Sequence, residues 1–286
     1  MDAGLRDAAR RLGAGASSRA AAEALLGHVL CMDRSRLLAA LRERLDPAVH
    51  ARFMALVERH ARGEPIAYLT GTAAFLDFEF LVTPDVLIPR PDTEVLGLWA
   101  IDRAAGSEAP RVLDVGTGCG ALALSVAAAL PTARVDGTDV SAAALRVAEA
   151  NALRLGLGDR VRFHRADLFP PGAERFDVVV ANLPYVAEDE RAEMDEEVLR
   201  YEPLEAVMAG SDGLAVIRRF IDGLPGRLAA GGAAGVEIGW RQGASVSRLA
   251  SASLPRANLS VLKDLASRDR VVIIDTAETR RPCAGQ

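Results

Sequence analysis

The chain has 286 residues, half of them hydrophobic and about a quarter charged, the make-up of a globular protein large enough for two domains, one of them small. Its net charge of -5 gives the chain as a whole no electrostatic reason to bind nucleic acid, although a local basic patch is not excluded; almost every basic residue is arginine, Lys263 being the only lysine. Three cysteines (Cys31, Cys119, Cys283) without C-x-x-C spacing point to a reducing compartment, and four scattered histidines (His28, His50, His60, His164) argue against a metal centre.

The N-terminal "MDAGLRDAARRLGAG" lacks the apolar run of a signal peptide, and no segment has about 18 uninterrupted apolar residues, so the expected location is the cytoplasm. Residues 1 to about 72 read as helical. "SRAAAEALLGHVL" sets Ala22, Leu25, Leu26, Val29 and Leu30 at helical spacing. "DPAVHARFMALVERHARG" offers Asp46 as a cap, Pro47 in the first turn and Gly63 past the end. A small bundle is the expected packing.

"FLDFEFLV" then alternates and reads as a strand, and "VTPDVLIP" supplies a second short run, so residues 73–90 are expected to form a linking β-hairpin. In "IPRPDTE" (Ile88 to Glu94) two prolines hold the backbone extended around Arg90. A helix follows, with Asp92 or Thr93 as its cap.

From residue 110 short β-like runs alternate with helices: "RVLDVG", "ARVDGTD", "RVRFHR", "FDVVVAN" and "AAGVEIG". This pattern predicts an α/β domain with a doubly wound, mostly parallel sheet. The last two runs, in "ANLSVLKDLASRDRVVIID", are too close for a parallel crossover and should pair as an antiparallel hairpin. The tail "TAETRRPCAGQ" is expected to fray.

"LDVGTGCGALAL" places Gly116, Gly118 and Gly120 between a strand and a helix, where glycine permits close backbone approach to a ligand. Asp139 ends the next strand, where a doubly wound sheet offers a carboxylate to ribose hydroxyls. The G-x-G-x-G spacing departs from the dinucleotide fingerprint. Asp114, two residues before the first glycine, would repel a pyrophosphate and suit a cationic amino acid moiety. S-adenosylmethionine carries that moiety and no phosphate. Dinucleotide binding or plain tight packing remain alternatives for the loop, and a structural cap for Asp114. Asp167 ends the third strand, near the adenine side of the crevice or as a turn residue, and Leu168 and Phe169 line an adenine pocket or belong to the core.

"VVVANLPYV" ends the fourth strand beside that cofactor site. A planar NH2 is a poor nucleophile, and two acceptors, the Asn182 side-chain oxygen and the Leu183 carbonyl, could hold its hydrogens and aim its nitrogen. Pro184 restricts Leu183, and Tyr185 supplies a flat face. An accidental Asn-Pro-Tyr turn is the bland alternative.

Over nearly its whole length the sequence resembles the HemK/PrmC-type methyltransferases, which methylate the glutamine of the GGQ motif in peptide-chain release factors. The resemblance rests on "GEPIAYLTG", "VTPDVLIPRPDTE", "LDVGTGCGALAL", "NLPY", "YEPLEAVMAGSDGLAVIRR", "VEIGW" and "DLASRDRVV". It implies a class I S-adenosylmethionine methyltransferase fold over residues 91–286, a seven-stranded sheet with a final antiparallel hairpin, and an N-terminal helical lobe over 1–72 that grips the release factor. It also implies a cofactor site of Asp114, Gly116, Thr117, Gly118, Cys119, Gly120, Asp139, Asp167, Leu168 and Asn182. Asn182, Leu183, Pro184 and Tyr185 would hold the glutamine, with Pro89, Arg90 and Pro91 as a closing wall. The expected enzyme is monomeric, with no membrane or direct nucleic-acid partner. The family usually has proline where Leu183 stands and glutamate where Asp92 stands. A ribosomal-protein glutamine methyltransferase, an rRNA N6-adenine methyltransferase and a cofactor-binding scaffold without catalysis are the rival readings.

Overall fold

The computed structural model describes residues 1–13 and 15–277. Most of the C-terminal tail, Cys283 included, lies outside them, while Thr276 is still held by hydrogen bonds to the Gly232 carbonyl. Two compact units make up the chain: one of residues 1–72, 82–84 and 195–202, the other of residues 73–81, 85–194 and 203 onward. Among the described residues no helix is long and apolar enough to cross a membrane.

The first unit holds α1 (Asp2–Arg11), α2 (Ala16–Leu30), α3 (Arg34–Ala39), α4 (Pro47–Ala61) and α5 (Ile66–Thr70). Leu5, Leu25, Leu26, Leu37, Phe53 and Val57 are fully buried in its core, so the apolar stripe of each helix packs inward. Asp46 caps α4 by accepting from the amides of Ala48 and Val49, with Pro47 in the first turn. The buried Glu23 of α2 is held between Arg19 and Arg34 at 2.8 and 2.9 Å. These pairs draw its carboxyl below the usual range.

The second unit opens with a hairpin of β1 (Thr72–Phe75) and β2 (Phe78–Leu81). Its turn falls at Leu76 and Asp77, inside the stretch expected to be one strand, and "VTPDVLIP" forms no strand. Leu76 has a φ of 49°. The Glu94 carboxylate accepts its amide hydrogen at 2.9 Å, so a partner 18 residues away holds a turn that leucine does not favour. Pro91–Thr93 form one 3-10 turn before α6 (Glu94–Ala104). Neither Asp92 nor Thr93 caps α6 as expected. Both side chains are committed elsewhere.

A seven-stranded sheet follows, built from β3 (Arg111–Val115), β4 (Arg134–Asp139), β5 (Val161–Arg165), β6 (Phe176–Ala181), β7 (Leu228–Glu237), β8 (Asn258–Lys263) and β9 (Asp269–Asp275). Its order is β5-β4-β3-β6-β7-β9-β8. The first five strands pair in parallel, and β9 runs antiparallel to both β7 and β8. Residues 112–115 of β3 and 178–181 of β6 are buried throughout, as central strands covered on both faces must be. The crossovers carry α7 (Ala121–Ala129), α8 (Ala142–Arg154), α10 (Ala215–Gly223) and α11 (Gly243–Ser253); α9 (Glu196–Tyr201) belongs to the first unit.

The chain runs outward from β3 to β5 and then returns to β6 on the other side of β3. That reversal opens a crevice at the carboxyl ends of β3 and β6. The glycine loop leaves β3 there, and Asn182 is the first residue after β6.

Candidate active site

A cavity of about 330 Å³ occupies this crevice. Its wall includes residues 115–119, Asp139, Asp167, Leu168, Asn182, Leu183 and Pro184, together with Phe75, Asp85, Val86, Pro89, Thr93, Glu205 and Arg219. Strand order has thus brought together residues from opposite halves of the domain.

Gly116, Gly118 and Gly120 all have positive φ, so the loop turns as only glycine does readily. A side chain at Gly116 would also crowd Leu183, whose Cδ2 would stand 3.1 Å from a Cβ there. The amides of Gly116 and Thr117 both donate to the Thr138 carbonyl, tying the loop to the end of β4.

Asp114 lies beneath the loop, 1% exposed, and is not on the cavity wall. Its Oδ2 accepts from Thr117 Oγ1 at 2.7 Å and from the Ala123 amide at 3.1 Å, so it joins the loop to α7. Its Oδ1 has no hydrogen-bond partner among the described residues. Burial pushes this carboxyl up to about 6. Asp139 faces the cavity: one oxygen accepts the Gly118 amide at 3.0 Å, the other the Ser141 amide at 2.9 Å. Burial raises its pKa against these bonds. Each oxygen keeps a lone pair for a ligand donor.

Cys119 lines the cavity as a buried thiol whose pKa burial pushes up to about 12, which removes it as a nucleophile. Asp167 forms a 2.5 Å ion pair with Arg219 at the rim, both half-exposed. Leu168 has a φ of 66° and its carbonyl accepts from Thr138 Oγ1 at 2.5 Å, so its backbone is bent and fixed at the wall. Phe169 stacks on Phe220 with the rings 5.7 Å apart and belongs to the core behind.

Asn182 lines the cavity with its Nδ2 donating to Thr93 Oγ1 at 3.0 Å. Leu183 and Pro184 continue the wall. Tyr185 is not part of it: its ring packs against the core, and its hydroxyl donates to Glu237 Oε1 at 3.3 Å. Of the proline wall only Pro89 lines the cavity; Arg90 is half-buried beside it, and Pro91 is exposed. Gly120 likewise stands behind the loop, its would-be Cβ against Leu124 and Ala148.

Thr93, Glu237 and Arg270 escaped sequence reasoning. Thr93 looked like a helix cap, but it is 4% exposed and its Oγ1 accepts from Asn182 Nδ2. Glu237, at the end of β7, is 1% exposed, and burial pushes its carboxyl up to about 7. Arg270 on β9 pairs with Asp264 at 2.9 Å and Asp92 at 3.0 Å. Asp92, the shorter of the two acids, is thus long enough to reach a cation here. The one hint in the sequence was an acid ending an apolar strand in "GVEIG".

A glycine cradle facing a strand-end carboxylate, on a parallel sheet closed by a reversed hairpin, belongs to a methyltransferase, and residues 112–201 match the family described as "Methyltransferase domain". Residues 4–71 match "PrmC N-terminal domain". The chain is 45% identical over 258 residues to the release factor glutamine methyltransferase of Bordetella pertussis, covering 88% of this chain and 93% of that one. It is 44% identical over 269 residues to that of Moorella thermoacetica, covering 93% and 95%. The chain belongs to the release factor glutamine methyltransferase family. A solved ribosomal protein L11 methylase from Lactobacillus delbrueckii subsp. bulgaricus, 21% identical, shares the fold with a TM-score of 0.50, over 69% of this chain and 84% of that one.

Proposed function

We propose that this enzyme methylates the side-chain amide nitrogen of the glutamine in the GGQ motif of peptide-chain release factors, with S-adenosylmethionine as donor. Membership of the family, with 44–45% identity to two of its named members, supports the reaction and the substrate class. The observation that carries the chemistry is Asn182: it stands at the switch point on the cavity wall, with its NH2 already engaged by Thr93. Its Oδ1 remains to accept from a substrate.

The cavity fits the donor. Asp139 offers two acceptor oxygens to ribose hydroxyls, and the positive-φ glycines clear backbone space for close approach. Residues 116–119, Asp139, Asp167, Leu168 and Asn182 would hold it. When bound, S-adenosylmethionine supplies an activated methyl group on a sulfonium, so no nucleophile from the protein is required.

The protein's own contribution is orientation. Asn182 Oδ1 and the Leu183 carbonyl accept the two hydrogens of the glutamine carboxamide and aim its nitrogen. Both acceptors gain strength as positive charge develops on that nitrogen. Pro184 limits the conformations open to Leu183. Tyr185, whose hydroxyl donates to Glu237, anchors the turn from behind the cavity wall. Pro89 closes one side of the site, with Arg90 and Pro91 continuing that wall outward. The N-terminal helical domain, 1–72, holds the body of the release factor; residues 73–90 link it to the catalytic domain, 91–286. The enzyme works as a monomer in the cytoplasm, where its substrate acts.

Incubation with methyl-labelled S-adenosylmethionine and three candidates, a release factor, ribosomal proteins and rRNA, tests the assignment. Label is expected on the release factor, at the GGQ glutamine. Label on a ribosomal protein or the rRNA instead would overturn it.

A further inference from the structure

The face of α8 that meets the glycine loop carries Ala144, Ala148 and Asn151, spaced as neighbours along one side of a helix. Ala144 lines the cavity, and Ala148 packs so closely under the loop that its Cβ would stand 3.2 Å from one added at Gly120. Asn151 follows, fully buried. Its Nδ2 donates to the Cys119 carbonyl at 2.9 Å. The same nitrogen donates to the Leu81 carbonyl at 3.0 Å, and Oδ1 accepts the Leu81 amide hydrogen at 2.7 Å. One side chain therefore pairs with both backbone groups of the last residue of β2, as a neighbouring strand would, and also grips the loop. Neither Asn151 nor Leu81 is on the cavity wall.

We propose that Asn151 is a positioning residue for S-adenosylmethionine: it holds the glycine loop and the β1–β2 hairpin at a fixed spacing and so sets cofactor affinity, with no part in methyl transfer. Its three partners are backbone groups of fixed polarity. The Cys119 and Leu81 carbonyls only accept and the Leu81 amide only donates, so the side chain has one workable orientation. Flipping it would set its oxygen against two carbonyls and its NH2 against an N–H, away from water. The bond to Cys119 completes the hold on one peptide unit of the loop. The N–H of that unit, on Gly120, donates to the Thr117 carbonyl at 2.8 Å, and its C=O goes to Asn151. With both ends tied, the peptide that carries the loop into α7 cannot swing, and Gly118 and Cys119 keep their places on the wall. On the hairpin side, Phe75 of β1 lines the cavity, as do Asp85, Val86 and Leu87 a few residues after Leu81. A two-stranded hairpin has little stability of its own, so its placement depends on what it is bonded to. The turn from Asn182 to Tyr185 is tied instead to Thr93 and Gln242, so loosening Asn151 leaves the substrate grip in place. Arg154, one turn further along α8, pairs with Glu79 of β2 at 2.7 Å on the surface and provides a control for the hairpin alone.

The inference rests on the reading of the cavity as the cofactor site. The test compares the full-length wild type with Asn151→Ala, Asn151→Asp and Arg154→Ala. S-adenosylmethionine affinity is measured by calorimetry, kcat and KM by methylation of a release factor, folding by thermal melts, and the Leu81 amide by hydrogen exchange. Asn151→Ala and Asn151→Asp are each expected to weaken cofactor binding by about 10- to 50-fold, the scale of one or two lost buried hydrogen bonds. Turnover at saturating cofactor and KM for the release factor should stay within about 3-fold. Arg154→Ala, which loses an exposed ion pair, should bind cofactor within about 2-fold of the wild type. In the wild type, saturating cofactor should slow Leu81 exchange by at least about 5-fold, because a loop held by its ligand holds Asn151 in turn. That measurement decides the matter if both Asn151 variants fail to fold. A wild type that binds no S-adenosylmethionine would remove the underlying reading. Wild-type binding beside Asn151 variants that melt lower yet bind equally well would overturn this inference alone and leave Asn151 a structural contact. An equal loss of affinity in Arg154→Ala, a fall confined to kcat, or Leu81 exchange indifferent to cofactor would overturn it too.

Discussion

At the scale of single residues, the site works by leaving particular lone pairs unused. Asp139 commits one lone pair on each oxygen to a backbone amide, and the reading proposed above gives the others to a ligand. Asp139→Ala is therefore expected to weaken S-adenosylmethionine binding by ~1.5–3 kcal/mol, the range of a hydrogen bond to a charged group. Titration calorimetry reads this directly, and unchanged affinity would remove Asp139 from the cofactor site. Leu183 poses a different question. Its carbonyl survives replacement by the proline common in the family, whereas its side chain, 4% exposed and packed toward Gly116, does not. Leu183→Pro should stay active and lose ~1 kcal/mol of stability from poorer packing. An inactive variant that melts normally would mean that the leucine N–H or side chain takes part in binding.

Secondary-structure elements position the site through a few cross-links. Gln242, just before α11, donates to the Tyr185 carbonyl at 2.9 Å and so fixes the turn after β6 from behind. Gly213, with a φ of 67°, lies against the same carbonyl: a Cβ there would sit 2.4 Å from the Tyr185 oxygen and 2.8 Å from Gln242 Nε2. Gly213→Ala must displace the turn. The expected result is a loss of at least ~2 kcal/mol in chemical denaturation, from backbone strain and overpacking together, with kcat reduced more than cofactor affinity. Full activity with wild-type stability would show that the turn tolerates movement. The β1–β2 hairpin is a second case. Alternation pointed to one long strand, because Leu76 and Asp77 carry no glycine or asparagine signal. The Glu94 carboxylate, supplied by α6, holds the turn instead.

For the molecule as a whole, the buried acids make stability depend on pH. The Glu237 carboxyl rises from 4.5 to about 7 on folding because burial disfavours its charge, and Asp114 moves the same way, from 3.8 to about 6. A raised folded pKa stabilises the fold fully below the unfolded value, and that gain is lost as pH rises through the folded value. Across pH 4.5 to 7, Glu237 should therefore erode stability by up to about 1.4 kcal/mol per pH unit. Glu237→Gln lacks this dependence. Urea unfolding of both proteins between pH 4.5 and 8 should show the wild type losing ground to the variant as pH rises; parallel profiles would mean that Glu237 titrates normally.

The sequence by itself determined the alternation of strands and helices, the final reversed hairpin, the helical N-terminus, the glycine loop and the carboxylate ending β4. Each is a local signal: periodic burial, positive φ at glycine, or a polar residue closing an apolar run. Nothing in the sequence showed that Thr93 turns away from its helix to meet Asn182, 89 residues on, or that Tyr185 and Glu237, 52 residues apart, share a bond. Asp114 was legible as an acid near the loop, but its place beneath the cavity floor was not. Burial and hydrogen-bond polarity are set by neighbours, and strand order chooses the neighbours. Only the tertiary structure could decide them.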